Sequence, residues 1–333
     1  MRKTNILLYC TVFSLGLMLF LGGILEFVPF RYYLFFQRKQ VDSSTPCLNE
    51  CISTANMKNC SLESVVNKIK NKQYKDAIEA IDHYLKKNNQ LAELHYWKGR
   101  AFLGLEEYDK ASNSLLQAVN MDIFNPDYSL WLARCGTARH MDDSSIRILS
   151  FVLEKNNINS LLYAQRALAY SLSGMHEEAE KDIQTAVAIA PSYCRVLYIK
   201  AVVLANKEKY DEAVKILQEL LLKHEEGELT TCWDAWGSDC IPIIHATLAL
   251  IFLDKCNYDT ALESINRAIL LAPSDNELFF IRALVYRFID KQKALEDITH
   301  AEKLSPIQKN KFEQLRSIIM VQPQDCGGNA LEN

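Results

Sequence analysis

The sequence predicts an all-α chain built as a solenoid of about seven stacked helical hairpins, and three observations carry that prediction. Small residues recur on a fixed beat: Ala77, Ala111, Ser145, Ala179, Ala213, Ala261 and Ala294 are separated by 34, 34, 34, 34, 48 and 33 residues. A second small residue keeps step about twelve positions upstream, at Gly99, Ala133, Ala167, Ala201, Ala249 and Ala283. Punctuation shares the beat: Tyr74, Tyr108, Tyr210 and Tyr258 lie three residues before their mark, and Pro191, Pro273 and Pro306 lie twelve after. Self-similarity at this period means identical supersecondary units, each burying its apolar face only by stacking on its neighbours.

The first element, residues 1–36, reads as a transmembrane anchor with an interfacial segment. Ile6 to Leu25 is a twenty-residue run without a charge, preceded by Arg2-Lys3. That length matches the hydrocarbon core of a bilayer. A cleaved signal is the competing reading, but its apolar region is roughly 7–15 residues long and ends in small residues. Phe20-Leu21-Gly22-Gly23 suits that cleavage poorly, and the aromatic stretch Phe27–Phe36 suits an interfacial anchor. Basic residues nearly balance across the run, with Arg2 and Lys3 before it and Arg31, Arg38 and Lys39 after it, so charge does not fix the orientation.

Residues 37–57 form a flexible linker with Cys47 and Cys51, and the Asn59-Cys60-Ser61 triplet just beyond it is a glycosylation acceptor pattern. The repeat region spans 58–306. In one unit Leu162, Tyr163, Leu168 and Tyr170 lie on a first helix, Ser173-Gly174 breaks it, and Ala179, Ile183, Ala186, Val187 and Ile189 continue at helical spacing. Small residues where the helices cross allow close approach of the backbones. Pro191 then ends the second helix, because proline cannot continue the hydrogen-bond ladder.

These residues resemble the tetratricopeptide repeat. Trp97-Lys98-Gly99, Phe102, Tyr108, Ala111, Leu115 and Ala118 match one unit. Ala167, Tyr170, Ala179, Ile183, Ala186 and Pro191 match a second, and Ala249, Phe252, Tyr258, Ala261, Ile265, Ala268 and Pro273 a third. The unit at Ser145 is degenerate and keeps mainly its register. The resemblance implies a curved solenoid whose first helices line a concave, protein-binding groove.

An insertion at 226–241 delays the beat before Ala261 and contains Cys232, Trp233, Trp236 and Cys240. Insertions into a solenoid map to loops and often carry specificity. The two tryptophans read as a local hydrophobic plug, with an exposed partner anchor as the alternative. A Cys232–Cys240 disulfide is sterically reasonable at this separation. A metal site from Cys232, Asp234, Asp239 and Cys240 is disfavoured, because the close pairing of ligands is missing. Beyond Pro306, residues 307–321 read as a capping helix: Phe312, Leu315, Ile318 and Ile319 share one face, and Lys309, Lys311, Glu313 and Arg316 the other. The tail 322–333, with Cys326 and two glycines, reads as disordered.

Charge and motif content narrow the function. The whole chain carries a net charge of −4, with +4 in its first forty residues, so the remainder carries −8. An acidic solenoid matches nucleic acid poorly, since binding requires phosphate neutralisation. The seven histidines are scattered, and His176-Glu177-Glu178-Ala179-Glu180 lacks the second histidine of a zinc-protease helix. No phosphate loop or Gly-x-Ser-x-Gly elbow occurs. The chain therefore reads as a non-enzymatic, cofactor-free scaffold that binds a protein or peptide partner.

In repeat register the groove is lined by Tyr96, Trp97 and Arg100, then Trp131 and Arg134, then Arg195 and Tyr198. These are the residue types that dominate binding hot spots. For Trp97 the bland alternative is packing between helices. Chaperone-binding relatives hold a C-terminal carboxylate with a Lys/Asn clamp, but the equivalent positions here retain Arg100 alone in one frame and Arg134 and Arg195 in the next, with no Asn in either, which disfavours that role. Cys135, Cys194 and Cys256 fall within repeats and read as lone buried thiols that act as small hydrophobes. The loop cysteines suit disulfides and a lumen, whereas most proteins of this kind work in the cytosol; the expectation leans slightly to the cytosolic side. The alternatives are a lumenal folding or modification cofactor that presents client chains, and a mitochondrial outer-membrane receptor.

Overall fold

A computed structural model describes residues 58–321 apart from 72, 87–90, 106, 140, 229–239 and 306–308. The expected anchor Ile6–Leu25, the linker cysteines, Cys232, Trp233 and Trp236 of the insertion, Pro306 and the tail lie outside the described residues. Among those described, fifteen helices and no strands form the chain. None of these helices is long and apolar enough to cross a membrane.

The helices run α1 Lys58–Lys70, α2 Tyr74–Leu85, α3 Ala92–Gly104, α4 Tyr108–Met121, α5 Pro126–Ala138, α6 Asp142–Leu153, α7 Ser160–Leu172 and α8 His176–Ile189. They continue as α9 Cys194–Asn206, α10 Tyr210–Glu225, α11 Cys240–Asp254, α12 Tyr258–Leu271, α13 Asn276–Tyr286, α14 Lys291–Leu304 and α15 Lys309–Met320. Asn59 stands in the first turn of α1. Odd-numbered helices are the first members of hairpins and even-numbered ones the second. Each mark of the beat lies on a second helix, and all seven are fully buried.

The beat has a steric cause. An added Cβ on Gly99 would come within 2.5 Å of Leu115 Cγ on α4, so only a residue without a side chain fits that crossing. The alanines at equivalent places, Ala133, Ala167, Ala201, Ala249 and Ala283, are likewise fully buried. Boundaries follow from local chemistry. Asn125, Asn159 and Asp275 cap first helices by accepting hydrogen bonds from backbone N–H groups of the opening turn. Asn257 and Asp290 do the same for second helices. In three hairpins the tight turn places a left-handed residue five before the mark: Gly174, Glu208 and Cys256, at φ 75°, 60° and 58°.

The chain divides into two compact units, with described residues 58–244 in one and 245–321 in the other. In the first, each hairpin packs on the next: α3 touches α2, α4 and α5, and α7 touches α5, α6, α8 and α9. In the second, α13 packs on α12 and α14, and α14 on α15. Phe279, Ile298, Phe312, Leu315 and Ile319 form a shared core there.

One polar device recurs between hairpins. Arg166, just before the small residue of α7, donates two hydrogen bonds to Asp182 on α8, at 2.6 and 2.8 Å, and a third to Ser150 Oγ on α6 at 3.0 Å. Arg282 repeats it on α13, reaching Asp297 on α14 at 2.8 and 2.7 Å and Asn266 on α12 at 2.9 Å. Lys98 makes the cross-repeat half alone, to Asp82 at 2.6 Å. A planar guanidinium suits this double reach, because its fork matches a carboxylate and leaves donors over. The carboxylate partner makes the proton of each guanidinium harder to remove.

Two sequence readings change here. Cys194 and Cys256 are each disulfide-bonded, not lone thiols. Their positions tolerate small apolar side chains, and a half-cystine fits as well as a thiol does. Cys135 keeps the thiol reading: it is buried, and burial pushes its pKa up to about 12. The expected Cys232–Cys240 bridge is not formed: Cys240, buried at the start of α11, carries a thiol and is not half of a disulfide, and Cys232 lies outside the described residues.

Candidate functional site

Three first helices of the first unit, α3, α5 and α9, carry the expected groove residues. The small residue of each first helix faces its own second helix. At about 100° per residue, the position two before it points about 160° away from that contact, the position one after about 100° away, and the position three before lies at its edge, about 60° away. On α3 these are Tyr96, Trp97 and Arg100. On α5 they include Trp131 and Arg134, and on α9 Tyr198, with Arg195 one turn earlier.

The geometry is an aromatic–guanidinium stack. The Arg100 guanidinium lies 4.5 Å from the Trp97 ring centre and 4.4 Å from that of Trp131, so the two indoles flank it. Arg134 lies 4.2 Å from the same Trp131 ring. Tyr96 meets Trp97 edge-on at 5.2 Å and Tyr128 at 5.1 Å. Ring faces carry partial negative charge, and a weakly hydrated guanidinium is the cation best able to exchange water for them. Stacking therefore offsets part of the desolvation that these arginines suffer.

Charge links the third helix to the first two. Burial drives the Arg195 guanidinium pKa down to about 9, and the nearby charge of Arg100 adds to the effect while Tyr193 and Tyr198 oppose it. Arg195 is thus still protonated near neutrality. Tyr96 is pushed up by burial, against the pull of Arg100 and Arg134. Asp127, in the first turn of α5, is an acidic group whose field reaches Tyr96. Each of the three arginines makes further interactions within the fold.

The exposure differs from the sequence expectation. An open groove would leave these side chains in water, yet Trp97, Arg100, Trp131, Arg134, Arg195 and Tyr198 are all buried, and Tyr96 is half-buried. Helical periodicity reports which way a side chain points and is silent about what lies opposite.

A second surface escaped the sequence reading. Phe124, in the connection between α4 and α5, stacks on Phe151 of α6 with ring centres 6.3 Å apart and planes 14° from parallel. Both are exposed, as are Met121, Ile123 and Ile158 nearby in the chain. The available signal was Phe124 itself, a bulky apolar residue in a connection where polar turn formers are usual. Among the described residues, no group of three or more His, Cys, Asp or Glu side chains converges as metal ligands would.

Comparison with known proteins agrees with this architecture. Family models described as tetratricopeptide repeat match residues 67–126 and 161–193. The chain is 30% identical over 159 residues to the protein O-mannosyl-transferase TMTC1 of Homo sapiens; the match covers 46% of this chain and 16% of that protein. The chain thus corresponds to a minor part of that relative's length. Among solved structures, a tetratricopeptide repeat protein from Parabacteroides merdae superposes with a TM-score of 0.58 at 16% identity, over 79% of this chain and 98% of its own. The Cut9–Hcn1 hetero-tetramer of APC/C gives 0.55 at 16% identity, over 77% and 49%. Two stretches of the chain, residues 67–126 and 161–193, thus match tetratricopeptide repeats, and the helical fold around them is that of solved tetratricopeptide repeat proteins, a fold consistent with protein–protein interaction.

Proposed function

We propose that these tetratricopeptide repeats hold a protein or peptide partner on the face that carries Tyr96, Trp97, Arg100, Trp131, Arg134, Arg195 and Tyr198. The observation behind this reading is the aromatic–guanidinium stack, which gathers Trp, Tyr and Arg on consecutive first helices. Such side chains combine large apolar area with a directional polar group, the combination that dominates hot spots. The chain is held at a membrane by Ile6–Leu25. Its repeats face an oxidising lumen, because disulfides such as those of Cys194 and Cys256 do not persist in a reducing cytosol. The same chemistry speaks against a receptor with cytosolic repeats on the mitochondrial outer membrane.

A second reading makes the chain a lumenal folding or modification cofactor that presents client chains. It is favoured by the disulfides, by the acceptor triplet at Asn59, and by the similarity to a protein named as an O-mannosyl-transferase. Two measurements separate the possibilities. Protease protection on intact membranes, combined with a glycosidase-sensitive mass shift, tests topology; cleavage of the repeats from the cytosolic side would reject the lumen. Arg100→Gln with Arg134→Gln, checked by circular dichroism for intact helices, tests the face. Partner capture should fall about tenfold or more, in line with loss of one or two hot-spot side chains. Full capture by a folded variant would reject the assignment.

A further inference from the structure

We infer that the exposed stripe of α4 is a self-association surface, on which two copies of this chain pair about a two-fold axis with their α4 helices antiparallel. The inference is independent of the partner-binding reading above, because it concerns a second helix and not the face that carries Trp97 and Arg100.

The sequence of α4 departs from that of the other second helices. Two positions after the mark, those six each carry a charge: Glu79, Arg147, Lys181, Lys215, Glu263 and Glu296. On α4 that position is Asn113, and no charged residue stands between Lys110 and Asp122. Asn113, Leu116, Gln117, Asn120 and Met121 recur at helical spacing along one side, and all five are exposed. Phe124 continues the spacing just past the helix end, stacked on Phe151. The solvated side of a surface helix is normally charged. An uncharged stripe with apolar side chains set into it suits contact better than water.

The surface is large enough and already ordered. Leu116, Met121, Phe124 and Phe151 are each 45–47% exposed. Asn156, on the connection after α6, donates a hydrogen bond to the Phe124 carbonyl at 3.4 Å and so brings Ile158 alongside. At roughly 200 Å² for a whole large side chain, these four with Ile123 and Ile158 present roughly 550 Å². Two copies then cover roughly 1,100 Å² before the amides are added, close to the roughly 1,200 Å² at which specific interfaces begin. The stacked rings and the Asn156 bond hold the patch in place, so little freedom is lost on contact.

The order of the side chains selects a second copy as the occupant. Lay one stripe end over end on another, centred between Ala118 and Val119. Leu116 then meets Met121 of the other copy, Gln117 meets Asn120, and Asn113 meets Phe124. Each contact occurs twice, as a two-fold interface requires. A side-chain amide both donates and accepts, so Gln117 and Asn120 satisfy one another across the axis. A bilayer surface gives those amides no partner in hydrocarbon. Charges stay at the ends of the stripe. Lys110, paired with Glu107 in the single chain, approaches Asp122 of the other copy, and Arg139 holds Asp109 within its own chain at 2.5 Å.

The test mixes two differently tagged full-length chains in the same membranes, one with Asn113→Cys and the other with Met121→Cys. A bis-maleimide linker that spans one helix-to-helix spacing, about 10 Å, is then added. It should join the two tags, and parent chains with their native cysteines should not give that product. Asn113→Cys copies should not link to each other, because antiparallel pairing sets those residues roughly 16 Å apart along the axis. Linking among Asn113→Cys copies, links made only within one chain or to another protein, or no link at all would overturn the pairing.

A second arm sediments the full chain in detergent micelles. The parent should dimerise, and Leu116→Glu with Met121→Glu should weaken association at least tenfold while helical content stays constant. Both positions are exposed, so the fold does not depend on them. A parent that sediments as a monomer at every concentration, or a dimer that the paired substitution leaves intact, would overturn the inference.

Discussion

At the scale of single residues, Asp142 shows what happens when the repeat pattern lapses. It occupies the slot that Tyr74, Tyr108, Tyr210 and Tyr258 fill elsewhere, three residues before the mark. The carboxyl is half-buried there, and one oxygen has no hydrogen-bond partner among the described residues. Burial, with Asp143 beside it, raises its pKa to about 7. The unfolded chain releases this proton near pH 4, whereas the folded chain keeps it to about pH 7. Stability from this site is therefore lost as pH climbs through that window and is constant outside it. Asp142→Asn should flatten the dependence and stabilise the protein at pH 8 by about 1 kcal/mol, a figure reduced for the water that reaches the group. Urea melts at pH 5 and pH 8 check this, and equal pH slopes for both proteins would refute it. The degenerate beat at this repeat has its own compensation, since Ser145 donates a 2.7 Å hydrogen bond to the Ala133 carbonyl. Register was legible in the sequence at Ser145 because a hydroxyl is still small enough for the crossing. That hydrogen bond was not, because it joins residues on two helices.

At the scale of helices, the arginine ties between hairpins make a sharper stability claim than any surface ion pair. Asp182 and Asp297 are nearly buried and each accepts two bonds from one guanidinium. Removing the acceptor strands a partly buried cation, which is worse than never having had the pair. Asp182→Ala and Asp297→Ala should each cost about 2 kcal/mol in chemical denaturation. Arg166→Leu added to Asp182→Ala should recover part of that loss, because an apolar side chain needs no partner. Equal stability of Asp182→Ala and the parent would dismiss the tie. Helix extents were legible from the sequence because crossing residues and terminators act locally: Gly99 meets Leu115, and Pro191 follows the end of α8. The ties were not, since Arg166 and Asp182 stand sixteen positions apart with no periodic signal between them.

For the molecule as a whole, cysteine chemistry decides more than composition did. Cys194 and Cys256 sit within repeats, where sequence position alone suggests inert thiols, yet both are bonded. Alkylation of the denatured, unreduced protein should leave Cys194 and Cys256 unmodified and label Cys135. Reduction before alkylation should add label at the other two, as peptide mass analysis would detect. Labelling of Cys194 without reductant would contradict the disulfide and remove the main support for a lumenal face. In the folded protein Cys135 should stay unreactive, because thiolate is the reactive form and burial holds its pKa near 12. The groove was legible as a direction in which Trp131 and Arg134 point. The burial of those side chains was not, because periodicity along one helix does not report what packs against it.

The reach of Arg166 across three helices bears on how the repeats respond to load. Chains of such units melt piecemeal when each one holds its neighbour weakly. A guanidinium fixed at once to α8 and to α6 couples two hairpins, so peeling either one away must break the same fork. A pull arriving through the first unit should therefore meet a stiff pair at α5–α8, followed by a softer α9–α10 where Lys200 stands in place of the arginine. In a force-extension trace the two tied hairpins would rupture together as one long step, and the untied hairpin would slip first as a short one.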